Sequence, residues 1–250
     1  MCTLIVLFRP DHPWPLLIAG NRDEIRNRPW SPPGRHWADR PEVVAGLDKP
    51  RGGSWLGVND YGVAAAIMNR EGTLGPEAGK RSRGELVLEA LDHANAREAA
   101  QALADVDPRA YRAFNLFVGD PVSAFWLRHQ GNDSPVDLFE VTPGLHMLTD
   151  RDMDDQEVPR IRLYLSQFQD AEAPDPEHGH WDAWQSLLAC RLYPQSEVPQ
   201  AAMTLNMSND FGTLCSHLIA IPRYPGFGPL PVFLFANGPP DQQPFRPVTL

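Results

Sequence analysis

The sequence is poor in cysteine, in long apolar runs and in clusters of basic residues. Cys2, Cys190 and Cys215 are the three cysteines among 250 residues. This small, odd number fits a reducing compartment better than a disulfide framework and predicts free thiols. No stretch reaches the roughly 20 apolar residues that span a bilayer, and the apolar run 3–8 ends at Arg9, too soon for a signal peptide. We therefore expect a soluble, cytoplasmic protein with no membrane span.

The charge balance and the missing ligand motifs exclude several kinds of partner. The chain has a net charge of -10 and no run of Lys and Arg, which argues against nucleic acid. The glycines of 50–54 lack the spacing and the following Lys-Ser/Thr of a phosphate-binding loop. His178 and His180 have no recognisable third ligand, so we expect no metal site and no required cofactor. A small-molecule substrate or a hydrophobic ligand remains, and the oligomeric state is left open.

Length and composition fit one domain over residues 1–250. The hydrophobic fraction of 42% supports a large core, and no segment resembles a linker. Proline clusters at 29–33 and 225–231 predict loops, and 239–250 is predicted to be a polar tail. Strand patterns occur at 3–9, 15–20, 55–58, 63–68, 114–118, 124–127, 136–141, 218–221 and 232–236, and helix patterns at 85–91, 95–106, 159–168 and 181–192. This order, without regular βαβ alternation, predicts a mixed α+β fold.

Cys2 is the first candidate for chemistry. If Met1 is removed, as we expect, the chain begins with a residue that carries both a thiol and a free α-amino group. The amine, with a reference pKa of about 8, is a base that can take the thiol proton. The alternative is a buried cysteine that behaves as a small hydrophobe.

The segment Asn21-Arg22-Asp23-Glu24 follows the apolar residues 16–19 and supplies polar groups at a predicted strand end. A return strand brings them to Cys2. We expect Asp23 to accept a hydrogen bond from the amine or the thiol, and Arg22 and Asn21 to contact substrate. The alternative is a solvated turn with a local ion pair.

Asn69 ends a strand of small residues in a predicted hairpin whose turn is 59–62. Its side-chain amide can donate to a developing oxyanion; the alternative is a cap or turn residue. Arg51 is predicted to contact an anion at the mouth of the site. Trp55 is predicted to line an apolar pocket for substrate, with core packing as the alternative.

Cys215 and His217 lie two residues apart in a strand pattern, so both belong to one face of the strand. We expect a buried cysteine beside a histidine whose hydrogen bonds are satisfied. The alternative is that the pair lines a pocket behind Cys2.

Four segments together resemble the NRDE family, which includes the transport and Golgi organisation protein 2 homologues. They are Cys2-Thr3, the tetrapeptide 21–24, and the segments 52–59 and 212–216. The resemblance runs from Cys2 to about Ile221. The family is similar to the N-terminal nucleophile hydrolases, above all to the choloylglycine hydrolases and penicillin V acylases, which cleave linear amides through a terminal cysteine. The resemblance therefore implies a four-layer αββα sandwich.

The resemblance also implies residue roles. Cys2 matches the nucleophile, Asp23 the aspartate that holds the terminal amine, and Asn69 the asparagine of the oxyanion hole. Asp150 stands where the hydrolases have a second asparagine, and a carboxylate cannot donate as an amide does; we expect it to contact substrate. Leu214 stands where many family members have arginine, so the late catalytic arginine of the hydrolases has no assigned match.

The residues and the resemblance predict a cysteine amidohydrolase or acyltransferase that acts on a linear amide of a small, partly apolar substrate. The competing hypothesis is a binding or trafficking protein for haem or a lipid-like cargo, in which Cys2 is a ligand or a redox group.

Overall fold

The computed structural model describes residues 2–131, 133–207, 210–223 and 230–250. Met1, whose removal the sequence predicts, and most of the proline cluster 225–231 lie outside these ranges. The strands are β1 (Thr3–Phe8), β2 (Leu16–Ile25), β3 (Trp30–Gly34), β4 (Val43–Asp48), β5 (Leu56–Asn59), β6 (Ala64–Asn69), β7 (Phe114–Gly119), β8 (Ala124–His129), β9 (Asp137–Glu140), β10 (Gly144–Leu148), β11 (Phe211–Ile221), β12 (Val232–Ala236) and β13 (Phe245–Pro247). The helices are α1 (Gly84–Leu91), α2 (Ala96–Ala104), α3 (Pro159–Asp170) and α4 (Asp182–Leu188), with 3₁₀ turns at Pro108–Ala110 and Pro199–Ala201.

The described strands form two antiparallel sheets. One has six strands in the order β10-β1-β2-β11-β12-β13, and the other has seven in chain order from β3 to β9. In the first sheet β2 lies between β1, where Leu4 pairs with Gly20, and β11, where Thr213 pairs with Asp23. The start of the chain is therefore held in the middle of a sheet, beside the segment 21–24.

The two sheets pack face to face and each carries helices on its outer face. Alternate residues divide between layers because successive side chains on a strand point to opposite faces. Leu4 and Ile18 lie in the core between the sheets, whereas Ile5 and Leu17 pack on α3 and α4. A third apolar cluster joins the seven-stranded sheet to α1 and α2. The predicted αββα sandwich is confirmed.

Local signals explain several of these elements. The β5–β6 hairpin turns through 59–62, where Gly62 has a φ of 85° and donates its N–H to the carbonyl of Asn59 at 3.1 Å. Helix α2 begins after Asn95, whose side chain accepts a hydrogen bond from the N–H of Glu98 at 2.9 Å. Glycine in a tight turn and asparagine at a helix N-cap are residue types that these positions favour.

Three expectations for local structure were wrong. The tetrapeptide 21–24 lies inside β2 rather than beyond the end of the strand, because β11 begins at Phe211 and pairs with β2 as far as Ile25. The proline-rich segment 30–34 is the edge strand β3, a position where a residue without an N–H is tolerated. Within the predicted tail, Phe245–Pro247 pairs with β12. No helix in the described ranges is both long and apolar enough to cross a membrane.

Close approach of β1 and β2 requires glycine at position 20. A Cβ atom there would lie 2.3 Å from the carbonyl oxygen of Thr3 and 2.7 Å from Nε2 of His217. We expect Gly20→Ala to lower the free energy of unfolding by about 1–3 kcal/mol, the usual cost of forcing an extra carbon into a packed core. Urea denaturation measures it. Gly34→Ala is the matched control, since the nearest atom to its Cβ would be 3.5 Å away, and an equal loss in both variants would contradict the packing argument.

Candidate functional site

Cys2 immediately precedes β1 and packs against the core between the two sheets. The register that pairs Thr3 with Asn21 and Cys215 with Arg22 places Cys2, Arg22 and Cys215 side by side across three strands. The Cys2 thiol donates to the backbone carbonyl of Asp23 at 3.5 Å. Burial raises the pKa of this thiol above its ordinary value. The sulfur is therefore a neutral thiol near pH 7 and needs a base before it can attack.

Arg22 is buried beside Cys2 with an exposed fraction of 5%. Its guanidinium carbon lies 4.2 Å from the centroid of the Trp55 ring, and its Nη2 lies 3.7 Å from a carboxylate oxygen of Asp48. Its Nη1 has no hydrogen-bond partner among the described residues. An unsatisfied buried donor costs free energy, so this side of the guanidinium is suited to a bound acceptor.

One cavity of about 110 Å³ gathers five of the eight predicted site residues. Its lining includes Cys2, Arg22, Arg51, Trp55 and Asn69. They come from the residue before β1, from β2, from the loop between β4 and β5, and from the last residue of β6. The fold thus brings a thiol, an amide and two guanidinium groups around one space.

Asn21 and Asp23 point the other way, toward α3 and α4. The amide of Asn21 donates to the carbonyls of Leu188 (3.0 Å) and Met203 (2.9 Å), and its oxygen accepts from Ser216 at 2.7 Å. The two N–H groups of this side chain join β2 to the helical side, and its oxygen joins β2 to β11, so only one lone pair is left unused. The arrangement gives Asn21 a structural role, whereas substrate contact was the expectation.

Asp23 belongs to a buried network that the sequence did not reveal. One carboxylate oxygen accepts from Arg160 of α3 at 2.9 Å and the other from the Thr213 hydroxyl at 2.6 Å. Arg160 also donates to the Thr3 hydroxyl at 2.5 Å, and both members of the ion pair are fully buried. Asp23 thus reaches Cys2 through its backbone carbonyl, and Arg160 supplies a guanidinium behind the site. In the sequence, the network left no signal beyond the two arginines of the apolar helix pattern, Arg160 and Arg162, of which Arg160 is the buried one.

Asp150 follows β10 on the other side of Cys2. β10 pairs with β1 as far as Leu148, which lies opposite Leu4, so Asp150 lies two residues beyond the end of this pairing, on the side that leads to Cys2. One carboxylate oxygen of Asp150 is buried without a hydrogen-bond partner among the described residues, and burial raises the pKa of the group. Asp150 is absent from the lining of the 110 Å³ cavity.

A second, apolar cavity of about 20 Å³ lies behind Cys2, and His217 helps to line it. Both ring nitrogens of His217 lack a hydrogen-bond partner in the described part of the chain, so the expectation of a satisfied histidine was wrong. Burial lowers the pKa of His217 to about 3 and raises that of Cys215 to about 12. Both side chains are neutral at physiological pH.

His178 and His180 lie in an exposed loop, where His178 contacts Asp175 at 2.6 Å. Within the described ranges, no group of three or more His, Cys, Asp and Glu side chains is arranged to hold a metal ion.

Comparison with family models decides the ancestry of the chain. Residues 1–224 match the model of the family described as Transport and Golgi organisation 2. The chain belongs to this family. Its human homologue, called Transport and Golgi organization protein 2 homolog, is 31% identical over 160 residues, and the bovine homologue is also 31% identical. The alignment covers 60% of this chain and 56% of the human protein, so the chain spans little more than half the length of these relatives.

Solved structures share the sandwich fold of this family member. A Caenorhabditis elegans orthologue of N-acylethanolamine-hydrolyzing acid amidase superposes with a TM-score of 0.57 over 90% of this chain and 94% of its own, at 12% identity. The C2A mutant of a conjugated bile acid hydrolase from Clostridium perfringens gives 0.52 over 100% and 97%, at 11% identity. At these identities the likeness shows the fold.

The buried Asp23–Arg160 pair should be essential for stability. Arg160→Met leaves the Asp23 carboxylate buried without its cation, and removing one partner of such a pair costs about 3–5 kcal/mol. Chemical denaturation followed by circular dichroism measures the loss. Arg97→Met, in the exposed pair of Arg97 with Glu140, is the control and should cost less than about 1 kcal/mol. Similar small losses in both variants would refute the structural role of the network.

Proposed function

We propose that the protein hydrolyses a linear amide bond with Cys2 as an N-terminal nucleophile. The observation that carries the proposal is the shared cavity of Cys2, Asn69 and Arg22 at the start of a β-strand in an αββα sandwich. The two solved structures with this sandwich are named as an amidase and a bile acid hydrolase. Family membership supports the same fold, whereas the proposed reaction is argued from the residues of the site.

The first step follows from the protonation state of the thiol. With Met1 removed, the α-amino group of Cys2 takes the thiol proton while the sulfur attacks the carbonyl carbon of the amide. The carbonyl oxygen becomes an oxyanion that accepts from the Asn69 amide and backbone N–H groups. A raised thiol pKa suits this order of events, because the proton leaves the sulfur during attack.

The second step returns the enzyme to its starting state. The α-ammonium group gives its proton to the leaving nitrogen, the C–N bond breaks, and an acyl-thioester remains on Cys2. A water molecule, deprotonated by the same amine, attacks the thioester and releases the carboxylic acid and the thiol. An amine in place of water gives acyl transfer.

Asp23 and Arg160 act as positioning residues in this scheme. The network on the outer face of β2 joins Asp23, Arg160 and Thr3, the residue that follows Cys2. It fixes the backbone carbonyl that receives the thiol hydrogen bond. Such support keeps the nucleophile close to its attack geometry.

A carrier of haem or lipid fits this site less well. The spaces next to Cys2 measure about 110 and 20 Å³, whereas sites that enclose a drug-sized ligand usually measure about 300–1,000 Å³. A carrier would bind its cargo without turnover, which separates the two hypotheses in the experiments that follow.

The terminal amine sets the expected pH dependence. We compare protein whose first residue is Cys2, verified by intact mass, with protein that retains Met1. Hydrolysis by the Cys2 form should rise with pH through about 8, as the amine loses its proton and becomes a base. The form with Met1 should be at least about 100-fold slower, the lower range of general-base effects. Equal rates in the two forms would eliminate the terminal amine as the base.

Asn69 should contribute to the rate and leave folding intact. Asn69→Leu removes one oxyanion donor, so kcat should fall about 10²- to 10³-fold with a small change in KM. Steady-state kinetics on an N-acyl amide measures the effect, and a melting curve checks that the variant is folded. Cys2→Ala sets the background rate. An Asn69→Leu enzyme with unchanged kcat would remove this residue from the mechanism.

A further inference from the structure

The cavity beside Cys2 is lined by more cations than anions. Seven arginine and lysine side chains line it, against three acids, although the whole chain has a net charge of -10. The cations are Arg22, Arg28, Arg51, Lys80, Arg81, Arg83 and Arg112, and the acids are Glu24, Asp48 and Glu77. A cleft of one charge sign raises the local concentration of ligands of the opposite sign.

Three of these cations are neutralised by carboxylates of the protein itself. Their closest nitrogen–oxygen distances are 2.6 Å for Arg28, 3.2 Å for Arg112 and 2.8 Å for Arg81. The pairs are Arg28 with Asp48, Arg112 with Glu77, and Arg81 with Glu85 and Glu89. These pairs leave four cations to be explained.

Arg83 is held by neutral acceptors. Its guanidinium donates to the carbonyls of Thr73 (2.8 Å), Gly75 (3.2 Å) and Ala113 (2.9 Å), and to the Thr73 hydroxyl at 3.0 Å. Among the described residues no carboxylate forms an ion pair with it. Burial, together with the nearby Arg112, lowers the pKa of Arg83 to about 10, so it remains a cation at neutral pH. The acceptors fix its position without cancelling its charge.

Arg51 and Lys80, at the mouth of the cavity, are likewise cations held by neutral acceptors. Arg51 donates to the carbonyl of Lys80 at 3.3 Å, and Lys80 donates to the carbonyl of Arg109 at 2.7 Å. Neither has an ion pair with an acid in the part of the chain that the structure describes. Both are accessible to a ligand.

Arg22 extends the positive charge from the mouth to the nucleophile. It shares Asp48 with Arg28, at 3.7 Å against 2.6 Å for Arg28. Its Nη1, buried and without a hydrogen-bond partner among the described residues, belongs to a side chain that lines both cavities at Cys2. A buried donor next to the sulfur and three uncancelled cations outside it form a continuous path for a negatively charged molecule.

We propose that the ligand of this site is an anion, an amide whose carboxylate or phosphate binds Arg51, Lys80 and Arg83 while its carbonyl lies next to Cys2. This inference rests on the proposed amide hydrolysis for the position of the carbonyl. N-acyl amino acids are the simplest molecules of this class.

Binding to the Cys2→Ala form of the full chain tests the anion without turnover. The probes are N-butanoylglycine, N-butanoylethanolamine and O-phospho-N-butanoylethanolamine, which differ in the group at one end. By isothermal titration at low salt, an anionic probe should bind at least about tenfold more tightly than the neutral one, as expected for one charge-assisted hydrogen bond. The preference should shrink in 0.5 M NaCl, because salt screens accessible charges. The screening length falls from about 10 Å at 0.1 M salt to about 3 Å at 1 M. Whichever anion binds more tightly identifies carboxylate or phosphate as the natural group.

Single substitutions test whether the preference for anions depends on the cluster of Arg51, Lys80 and Arg83. Arg51→Gln and Arg83→Gln, introduced singly into the Cys2→Ala form, should each reduce the preference about threefold or more. Arg97→Gln, an exposed arginine of α2 paired with Glu140, should leave it unchanged. Arg51 is not part of the packed core, so its variant decides the question even if Arg83→Gln fails to fold.

Two results separate this inference from the proposed function. Equal affinity for the neutral and anionic probes, or a preference that survives Arg51→Gln, would overturn anion recognition even if all three amides are hydrolysed. Tight, cluster-dependent binding of an anion with no hydrolysis by the Cys2 form would support anion recognition and refute the hydrolase.

Discussion

The structure depends on one ion pair that has been removed from water. Asp23 of β2 and Arg160 of α3 are fully buried, and burial of two charges costs several kcal/mol unless their geometry and remaining hydrogen bonds are satisfied. The hydroxyls of Thr3 and Thr213 complete those bonds. Two strands flanking β2 and a helix must therefore reach their places together, and the position of Cys2 just before β1 is a consequence of that assembly.

The two faces of β2 have different roles, since one packs on the helices and the other faces the cavity at Cys2. Asn21 and Asp23 bind the helical layer, while Arg22 lies next to Cys2 and faces the cavity. Neighbouring residues in the same tetrapeptide thus have different surroundings because side chains alternate along a strand. A substitution at 21 or 23 acts first on stability, and one at 22 acts on the charge of the cavity.

Much of the fold could be predicted from the sequence, because apolar alternation and turn residues such as Gly62 are local signals. Cys2, Asn69 and Arg51 were selected by chemistry or by resemblance, and the fold brings them to one cavity. Other features depend on distant segments. The tetrapeptide was placed beyond the end of a strand because its residues are polar, and only the pairing with β11 shows that it is strand. Arg160 resembles a solvent-facing residue of an amphipathic helix until its partner 137 positions away is known.

The alternation along β2 also has a consequence for how the chain finds its native state. A slip of one residue against β1 would turn Arg22 toward the helices and Asp23 toward the facing sheet, since a one-residue shift exchanges the two faces of a strand. Asp23 would then be separated from Arg160 and Asn21 from its carbonyl acceptors, leaving charges and amides buried without partners. Incorrect pairings of this strand are thereby penalised by electrostatics as well as by packing. The segment 21–24, which places Arg22 beside Cys2, thus also fixes the register of the central strands.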